Sequence, residues 1–211
     1  MTFDESQIIG SLAELDAVTT PATGAAAGKT MLRLDQYARR YIGLSPFCCL
    51  ATSDAKGRAD VTPRGDKPGF VRVLDDNTLL IPDRPGNRIA DTLTNLLADP
   101  RIALLFLIPG VGDSFRVNGR ATVVDDAELL ESSAVDGKPP RLGIVVEIEE
   151  AYTQCSKALI RSDLWNPERH VDRSDLPSSG AILRSISDPE LDVEEYEAAR
   201  AQRYARREGL Y

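Results

Sequence analysis

The sequence predicts a mainly β protein built as a small antiparallel barrel with flanking helices. Two observations carry this prediction. Between residues 46 and 124, short apolar runs alternate with turn residues, as in consecutive β-hairpins. A single helical pattern, in residues 83–100, interrupts these strands. Six or seven strands joined mostly by hairpins, with one helix inserted, are typical of a small antiparallel barrel.

Composition limits the size and the partners of the protein. Its 211 residues, 42% of them apolar, suffice for one sizeable core but not for two full domains. We expect a helical extension in residues 1–44 that packs on the barrel, the barrel in 45–165, and a loop and helix in 166–211. The net charge of −8 argues against nucleic-acid binding. No apolar run is long enough to span a membrane, and the first residues do not resemble a signal peptide. A cytoplasmic protein without a membrane partner is expected.

Two helices are predicted before the strands. Apolar residues repeat at helical spacing in residues 5–15, and a Thr-, Pro-, Ala- and Gly-rich linker follows in residues 19–28. The next helix should cover about residues 31–42. Its buried face is predicted to comprise Leu34, Tyr37, Ala38 and Tyr41.

The first four strands form two hairpins. Residues 47–52 and 58–63 are joined by a polar loop. Residues 69–74 and 78–82 flank the turn Asp75-Asp76-Asn77. Between the hairpins, residues 62–69 have two interpretations. They form either an ordinary bulge or loop, or a loop whose Gly65 lets a flat ligand approach the backbone.

The helical pattern after the second hairpin begins with an anion-binding signature. Pro85 suits a first helical turn, and Asn87 and Arg88 would lie at the positive end of the helix. A phosphate there would meet free N–H groups and a guanidinium. The alternative is that both residues simply cap and solvate the helix. The predicted buried face consists of Ile89, Leu93, Leu96 and Leu97.

The remaining elements follow from periodicity. Residues 101–108 form an apolar run that predicts a strand buried on both faces. Residues 114–124 alternate between apolar and polar side chains, which indicates a half-buried strand. A further strand is predicted in residues 142–148, and helices in 156–163 and 192–208.

Few residues are available for chemistry by side chains alone. The three cysteines do not form a disulfide framework, since their number is odd and two of them are adjacent. The single histidine, His170, lies in a polar stretch, so a histidine base or a histidine-rich metal site is not expected. Residues 24–30 look like a P-loop, but only three residues separate Gly24 from Gly28, which favours a linker. We therefore predict no catalytic side chain and no metal, and chemistry carried by a cofactor.

Cationic residues recur beside glycines, turns and helix ends in this otherwise acidic chain. Each group has an ordinary interpretation as a solvated strand or helix face. Their number makes convergence on one anionic ligand a reasonable hypothesis. The groups are centred on Arg64, Arg88, Arg116 with Arg120, and Lys157 with Arg161.

These residues resemble the pyridoxamine 5′-phosphate oxidase-like superfamily of FMN-binding split barrels. The resemblance covers residues 45–124 most strongly and 155–165 more weakly. It is carried by Ser45-Pro-Phe, Asp60-Val-Thr-Pro-Arg-Gly-Asp66, Pro82-Asp-Arg-Pro-Gly-Asn-Arg88, Asn95, Asp99-Pro100 and Arg116-Val-Asn-Gly-Arg120. The stretch from Cys155 to Trp165 is similar to a bacterial subgroup described as probable FMN-dependent enzymes.

The resemblance implies a six- to seven-stranded split barrel that forms a homodimer with FMN between the subunits. Arg64, Asn87 and Arg88 would hold the phosphate. Asp83 would line the ribityl chain, and Gly65 with Asp66 would border the ring system. The residues expected to reach the flavin across the dimer interface are Ser114 and Arg116, with Lys157 and Arg161 as further partners.

Two departures from the family pattern bear on function. The oxidase proper has Ser-Arg-Lys where this chain has Asn87-Arg88-Ile89, so one phosphate cation is missing. The C-terminal arginine and histidine motif for the pyridoxine substrate is also absent. The resemblance thus implies an FMN-dependent oxidoreductase that exchanges hydride between flavin N5 and a small substrate or NAD(P)H, but not a vitamin B6 oxidase. The alternatives are a flavin-binding or flavin-sensing module without turnover and a deazaflavin-dependent reductase.

Overall fold

Seven antiparallel strands form one sheet in the computed structural model, which describes residues 4, 7–86 and 89–211. The strands are β1 (Phe47–Ser53), β2 (Ala59–Gly65), β3 (Arg72–Val73), β4 (Thr78–Asp83), β5 (Arg101–Leu107), β6 (Ser114–Val124) and β7 (Leu142–Gln154). Their order is β2-β1-β5-β6-β7-β4-β3, and the sheet does not close. This arrangement confirms the predicted split barrel.

Seven α-helices accompany the sheet in the part of the chain that the structure describes. They are α1 (Leu12–Val18), α2 (Gln36–Leu44), α3 (Asp91–Ala98), α4 (Ala127–Glu131), α5 (Lys157–Ser162), α6 (Ser179–Ile186) and α7 (Val193–Ala205). The helices predicted in 156–163 and 192–208 correspond to α5 and α7. The sequence did not predict α4 and α6, which are short. Across the described ranges, no helix combines the length and apolar character required to cross a bilayer.

The contacts divide the chain into Met1–Thr30 and Met31–Tyr211. In the first unit, α1 begins with a capping box in which Ser11 and Glu14 bond each other's backbone N–H groups. The helix therefore starts later than the pattern from residue 5 predicts, and it buries no residue. The division predicted from sequence (1–44, 45–165 and 166–211) stays a prediction.

One hydrophobic core lies between the sheet and α2. The side chain of Asp35 accepts hydrogen bonds from the N–H groups of Tyr37 and Ala38, so α2 begins after Asp35. Leu34, Ala38 and Ile42 contribute to the core. The prediction that Tyr37 is buried was wrong, because its side chain is 74% exposed. The chain before Asp35 is not helical, which shifts the buried face by part of a turn.

Helix α3 starts six residues after Pro85, so the predicted first turn was wrong. Its N-cap residue, Ala90, makes no side-chain hydrogen bond. The predicted apolar face was also partly wrong, since Ile89 and Leu97 are 63% and 81% exposed. The buried face consists of Thr92, Asn95 and Leu96.

Polar side chains explain why that face is buried. Asn95 Nδ2 donates to Thr52 Oγ1 of β1 over 3.0 Å, and both residues are buried. At the end of the helix, Ser53 Oγ donates to Asp99 Oδ2 over 3.0 Å. A buried amide that has a partner stabilises packing where an unpaired one would oppose it. These two bonds fix α3 against β1.

Strand β5 is buried on one face rather than on both. Ile102, Leu104 and Phe106 lie in the core. The alternate residues Ala103 and Leu105 are only half-buried and line a cavity. The apolar run does not distinguish a strand covered by the core on both sides from one whose second face borders a cavity.

A β-bulge bends β6 in the middle of the sheet. The register between β6 and β7 shifts between Asn118 and Gly119, so that Asn118 pairs with Glu150 and Gly119 with Ile148. A Cβ atom added at Gly119 would lie 2.0 Å from the carbonyl oxygen of Glu147. Glycine is therefore required at this close approach.

We expect Gly119→Ala to lower the free energy of unfolding by about 1–3 kcal/mol or more, because the methyl group meets backbone that cannot move aside. Gly43→Ala is the matched control, since no atom lies within 4 Å of its added Cβ in α2. That variant should keep or slightly raise stability. Urea unfolding measures the stability of both variants. Equal unfolding midpoints for Gly119→Ala and Gly43→Ala would contradict the close approach at the bulge.

Candidate functional site

A cavity of about 330 Å³ lies at the start of α3. Its walls are formed by the ends of β2 and β4, by the segment before α3, and by the first turn of α3. We refer to this space as the α3 cavity; its lining includes Arg64, Asp83, Arg84, Thr92, Leu93 and Gly209. Although α3 starts later than predicted, its N-terminal turn still borders a cationic residue. This combination favours an anion.

Arg64 is one of two arginines that line this cavity; the other, Arg84, is paired with Asp66. Arg64 lies opposite Cys48 in the register of β2 and β1, and Cys48 is fully buried, so Arg64 points to the core side of the sheet. Its Nη1 donates to Asp83 Oδ1 over 3.3 Å. Its Nε is buried without a hydrogen-bond partner. A half-satisfied guanidinium in a cavity is a ready donor for an anionic ligand.

Asp83 faces Arg64 across the cavity. Burial raises the pKa of the Asp83 carboxyl, and the positive charge of Arg64 only partly opposes that rise. The contact is long for a charge-assisted bond. The pair therefore leaves Arg64 free to serve a second acceptor.

Asp66 belongs to a separate network beside the α3 cavity. Arg84 Nε donates to Asp66 Oδ2 over 2.9 Å, and the Tyr211 hydroxyl donates to Oδ1 over 2.7 Å. The backbone N–H of Lys67 also donates to Oδ1. Burial raises the pKa of Asp66, but the hydrogen bonds from Tyr211, Lys67 and Arg84 outweigh it and leave a lowered pKa. Asp66 is thus held as an anion by the protein itself.

Gly65 ends β2 next to this network. An added Cβ would lie 3.3 Å from the Pro46 carbonyl oxygen, so a side chain there is crowded. This close approach explains the glycine without a ligand, and the bordering role expected for Gly65 and Asp66 stays a prediction. Asn87 and Arg88, the other two predicted phosphate residues, lie outside the described residues.

A second cavity, of about 440 Å³, lies on the other face of the sheet. Cys49 lines it, and adjacent strand residues such as Cys48 and Cys49 point to opposite faces. We name it the sheet-face cavity. Its walls are mostly apolar and include Ala51, Ala103, Leu105, Leu107, Ala158 and Leu159.

Ser114 and Arg116 line the sheet-face cavity rather than the α3 cavity. The Arg116 guanidinium lies over the ring of Tyr152, with 5.3 Å between its Cζ and the ring centroid. One chain therefore does not bring Arg64 and Arg116 into a common pocket. A ligand that touches both needs a second copy of the chain, as the resemblance implies.

Lys157 and Arg161 are exposed on α5, which covers one side of the sheet-face cavity. Neither lines the α3 cavity. Trp165 lies beyond the end of α5, where its Nε1 donates to the Val111 carbonyl oxygen over 2.8 Å. Trp165 thus fixes the end of α5 to the loop between β5 and β6.

Cys48 is not a reactive thiol. Burial, followed by the neighbouring Cys49 thiol, raises the pKa of Cys48 to about 12 despite the opposing effect of Arg64. A thiol with this pKa remains protonated and is a poor nucleophile. Within the described ranges, no group of three or more potential metal-ligating residues is present.

Sequence reasoning missed Arg84 and Tyr211. Arg84 lies within the stretch that carries the resemblance, but nothing in its spacing separates it from Arg88. Tyr211 is 145 positions from Asp66 in the sequence, so no local pattern connects them. Only the folded chain brings the two residues to Asp66.

Several solved structures are similar to this chain. Similar solved structures include HupZ from Group A Streptococcus (20% identity, 58% of this chain, 95% of that chain, TM-score 0.48). They also include general stress protein 26 from Bacillus anthracis (15% identity, 54% and 88%, TM-score 0.42). A third is an FAD-binding protein from Mesorhizobium loti (17% identity, 59% and 96%, TM-score 0.40). No curated protein matches significantly.

The family model described as pyridoxamine 5′-phosphate oxidase matches residues 34–155. This match covers more than half of the chain and includes α2, α3, α4 and all seven strands. The matched residues span the split barrel and include the strands that line the two cavities. The chain therefore belongs to the pyridoxamine 5′-phosphate oxidase family, which confirms the resemblance found in its sequence.

Proposed function

We propose that the protein is a homodimeric FMN-dependent oxidoreductase. The observation that carries the proposal is Arg64, which lines the α3 cavity with a buried Nε that lacks a partner. Such a donor fits a phosphate, and membership of an oxidase family supports a flavin phosphate. Bound FMN would supply hydride transfer at its N5 atom to a small substrate or from NAD(P)H.

The protein's own residues would bind and orient the cofactor. Arg64 would hold the phosphate together with the free N–H groups of the first turn of α3. Asp83, whose ionisation is disfavoured by burial, would accept hydrogen bonds from ligand hydroxyl groups beside it. Asn87 and Arg88 would complete the phosphate contacts, as the resemblance implies.

The sheet-face cavity supports the homodimer. Its lining is mostly apolar, and the half-buried residues of β5 face it. Apolar surface of this kind is typical of an interface between subunits. Ser114 and Arg116, the residues that the resemblance implies would reach a partner's cofactor, line this cavity.

A flavin-binding module without turnover would use the same cavity. Rapid reduction of the bound flavin by NADH or NADPH, followed by reoxidation with a quinone or oxygen, would favour the enzyme. Tight flavin binding with no reduction by either donor would favour the module. Mass spectrometry of the ligand released from freshly purified protein would distinguish FMN from a deazaflavin.

Arg64→Ala should weaken FMN binding by about 1.5–3 kcal/mol, because a charged hydrogen bond to the phosphate is lost. Quenching of flavin fluorescence measures the affinity. Arg40→Ala is the control, since Arg40 is exposed on α2 and lines neither cavity. It should bind FMN as the wild type does. Arg64→Lys keeps the charge and should retain part of the affinity if folding is intact. Equal affinities for all four proteins would exclude Arg64 from the site.

Leu105→Glu should convert the dimer to a monomer, because it introduces a charge into the apolar wall of the sheet-face cavity. Light scattering after size-exclusion chromatography measures the mass. Leu97→Glu is the matched control, since Leu97 is 81% exposed on α3 and does not line that cavity. A dimeric Leu105→Glu protein would place the subunit interface elsewhere.

A further inference from the structure

The chain after α7 returns to the α3 cavity. We call residues 206–211 the strap. Two residues with positive φ, Arg207 (56°) and Gly209 (75°), turn the chain away from the helix. Gly209 then forms part of the wall of the α3 cavity. Tyr211 lines a neighbouring cavity of about 640 Å³, which shares Asp83 and Arg84 with the first.

One side chain attaches the strap to the barrel. The Tyr211 hydroxyl donates to Asp66 Oδ1 over 2.7 Å. The Arg84 guanidinium, which holds the other oxygen of Asp66, lies 5.4 Å from the centroid of the Tyr211 ring. Arg84 is fixed in turn by its Nη2, which donates to the Ser133 carbonyl oxygen over 2.8 Å. The acceptor, Asp66, is itself almost fully buried, with 3% of its side chain exposed.

The rest of the strap buries little surface, although the N–H groups of residues 206–208 donate to carbonyl oxygens of α7. Residues 206–210 are all exposed, and only Tyr211 is partly buried. A segment that buries so little apolar surface opens at a small cost in free energy. Tyr211 is therefore the main attachment of the strap to the barrel, whereas Asp66 and Arg84 are also held by bonds to Lys67 and Ser133.

We propose that the strap is a lid on the α3 cavity and that Tyr211 is its latch. The inference rests on the proposed function, since the ligand is the phosphorylated cofactor bound by Arg64. With the latch closed, Gly209 completes the cavity wall and retains the ligand. The ligand leaves when the Tyr211–Asp66 bond breaks and the strap moves aside.

The first test is the rate at which FMN leaves the protein. Tyr211→Phe removes the hydroxyl and keeps the ring over Arg84. The dissociation rate, followed by the recovery of flavin fluorescence in stopped flow, should rise about three- to tenfold, as expected for a partly exposed hydrogen bond to a carboxylate. Tyr204→Phe, on the exposed side of α7, is the matched control and should release FMN at the wild-type rate.

The second test needs no ligand. Trypsin should cleave after Arg206 or Arg207 faster in ligand-free Tyr211→Phe than in wild type or Tyr204→Phe, as shown by the mass of the shortened chain. Equal cleavage rates would exclude the latch. Faster cleavage with an unchanged rate of FMN release would show that Tyr211 anchors the strap, but it would exclude the strap as a lid. If the wild type binds no FMN, the proposed function fails, and the cleavage rates still decide the latch.

Discussion

The Arg64 side chain lies on the core side of an edge strand, where Asp83 is its only ion-pair partner among the described residues. A guanidinium in this position must keep a partner, because an unpaired buried charge is costly. Asp83 supplies one long contact and leaves Nε without a partner. Burial of the charged pair costs free energy. The unpaired Nε would favour an anionic ligand over a neutral one. The site therefore depends on an incompletely satisfied ion pair at the mouth of the α3 cavity.

The two faces of the sheet carry two different cavities. The core-facing residues of β5 and β6 pack with α2, and Arg64 extends from the same side of β2. The opposite face carries the apolar sheet-face cavity with Ser114 and Arg116. The period of two along a strand places neighbouring residues of one segment on opposite faces of the sheet. Arg64 and Arg116 therefore line different cavities of one chain.

Several residues that carry the family resemblance have a structural use. Asn95 and Thr52 bond each other in a buried contact that attaches α3 to β1. Ser45 Oγ lies 2.7 Å from the carbonyl oxygens of Phe47 and Leu107, between β1 and β5. The first contact holds α3 on β1, and the Ser45 bonds join β1 to β5. A motif residue can thus be required by packing without touching a ligand.

The sequence by itself determined the strands, their hairpin connections and the family, because alternation and turn residues act over a few neighbouring positions. It also identified Arg64 and Arg116 through their place beside glycines, turns and helix ends, and Asp83 through the family resemblance. Only the tertiary structure decided that α3 begins at Asp91 rather than near Pro85, since that boundary depends on which face packs on β1. The contact between Tyr211 and Asp66 also required the fold, because residues so distant in sequence meet only when the whole chain has packed.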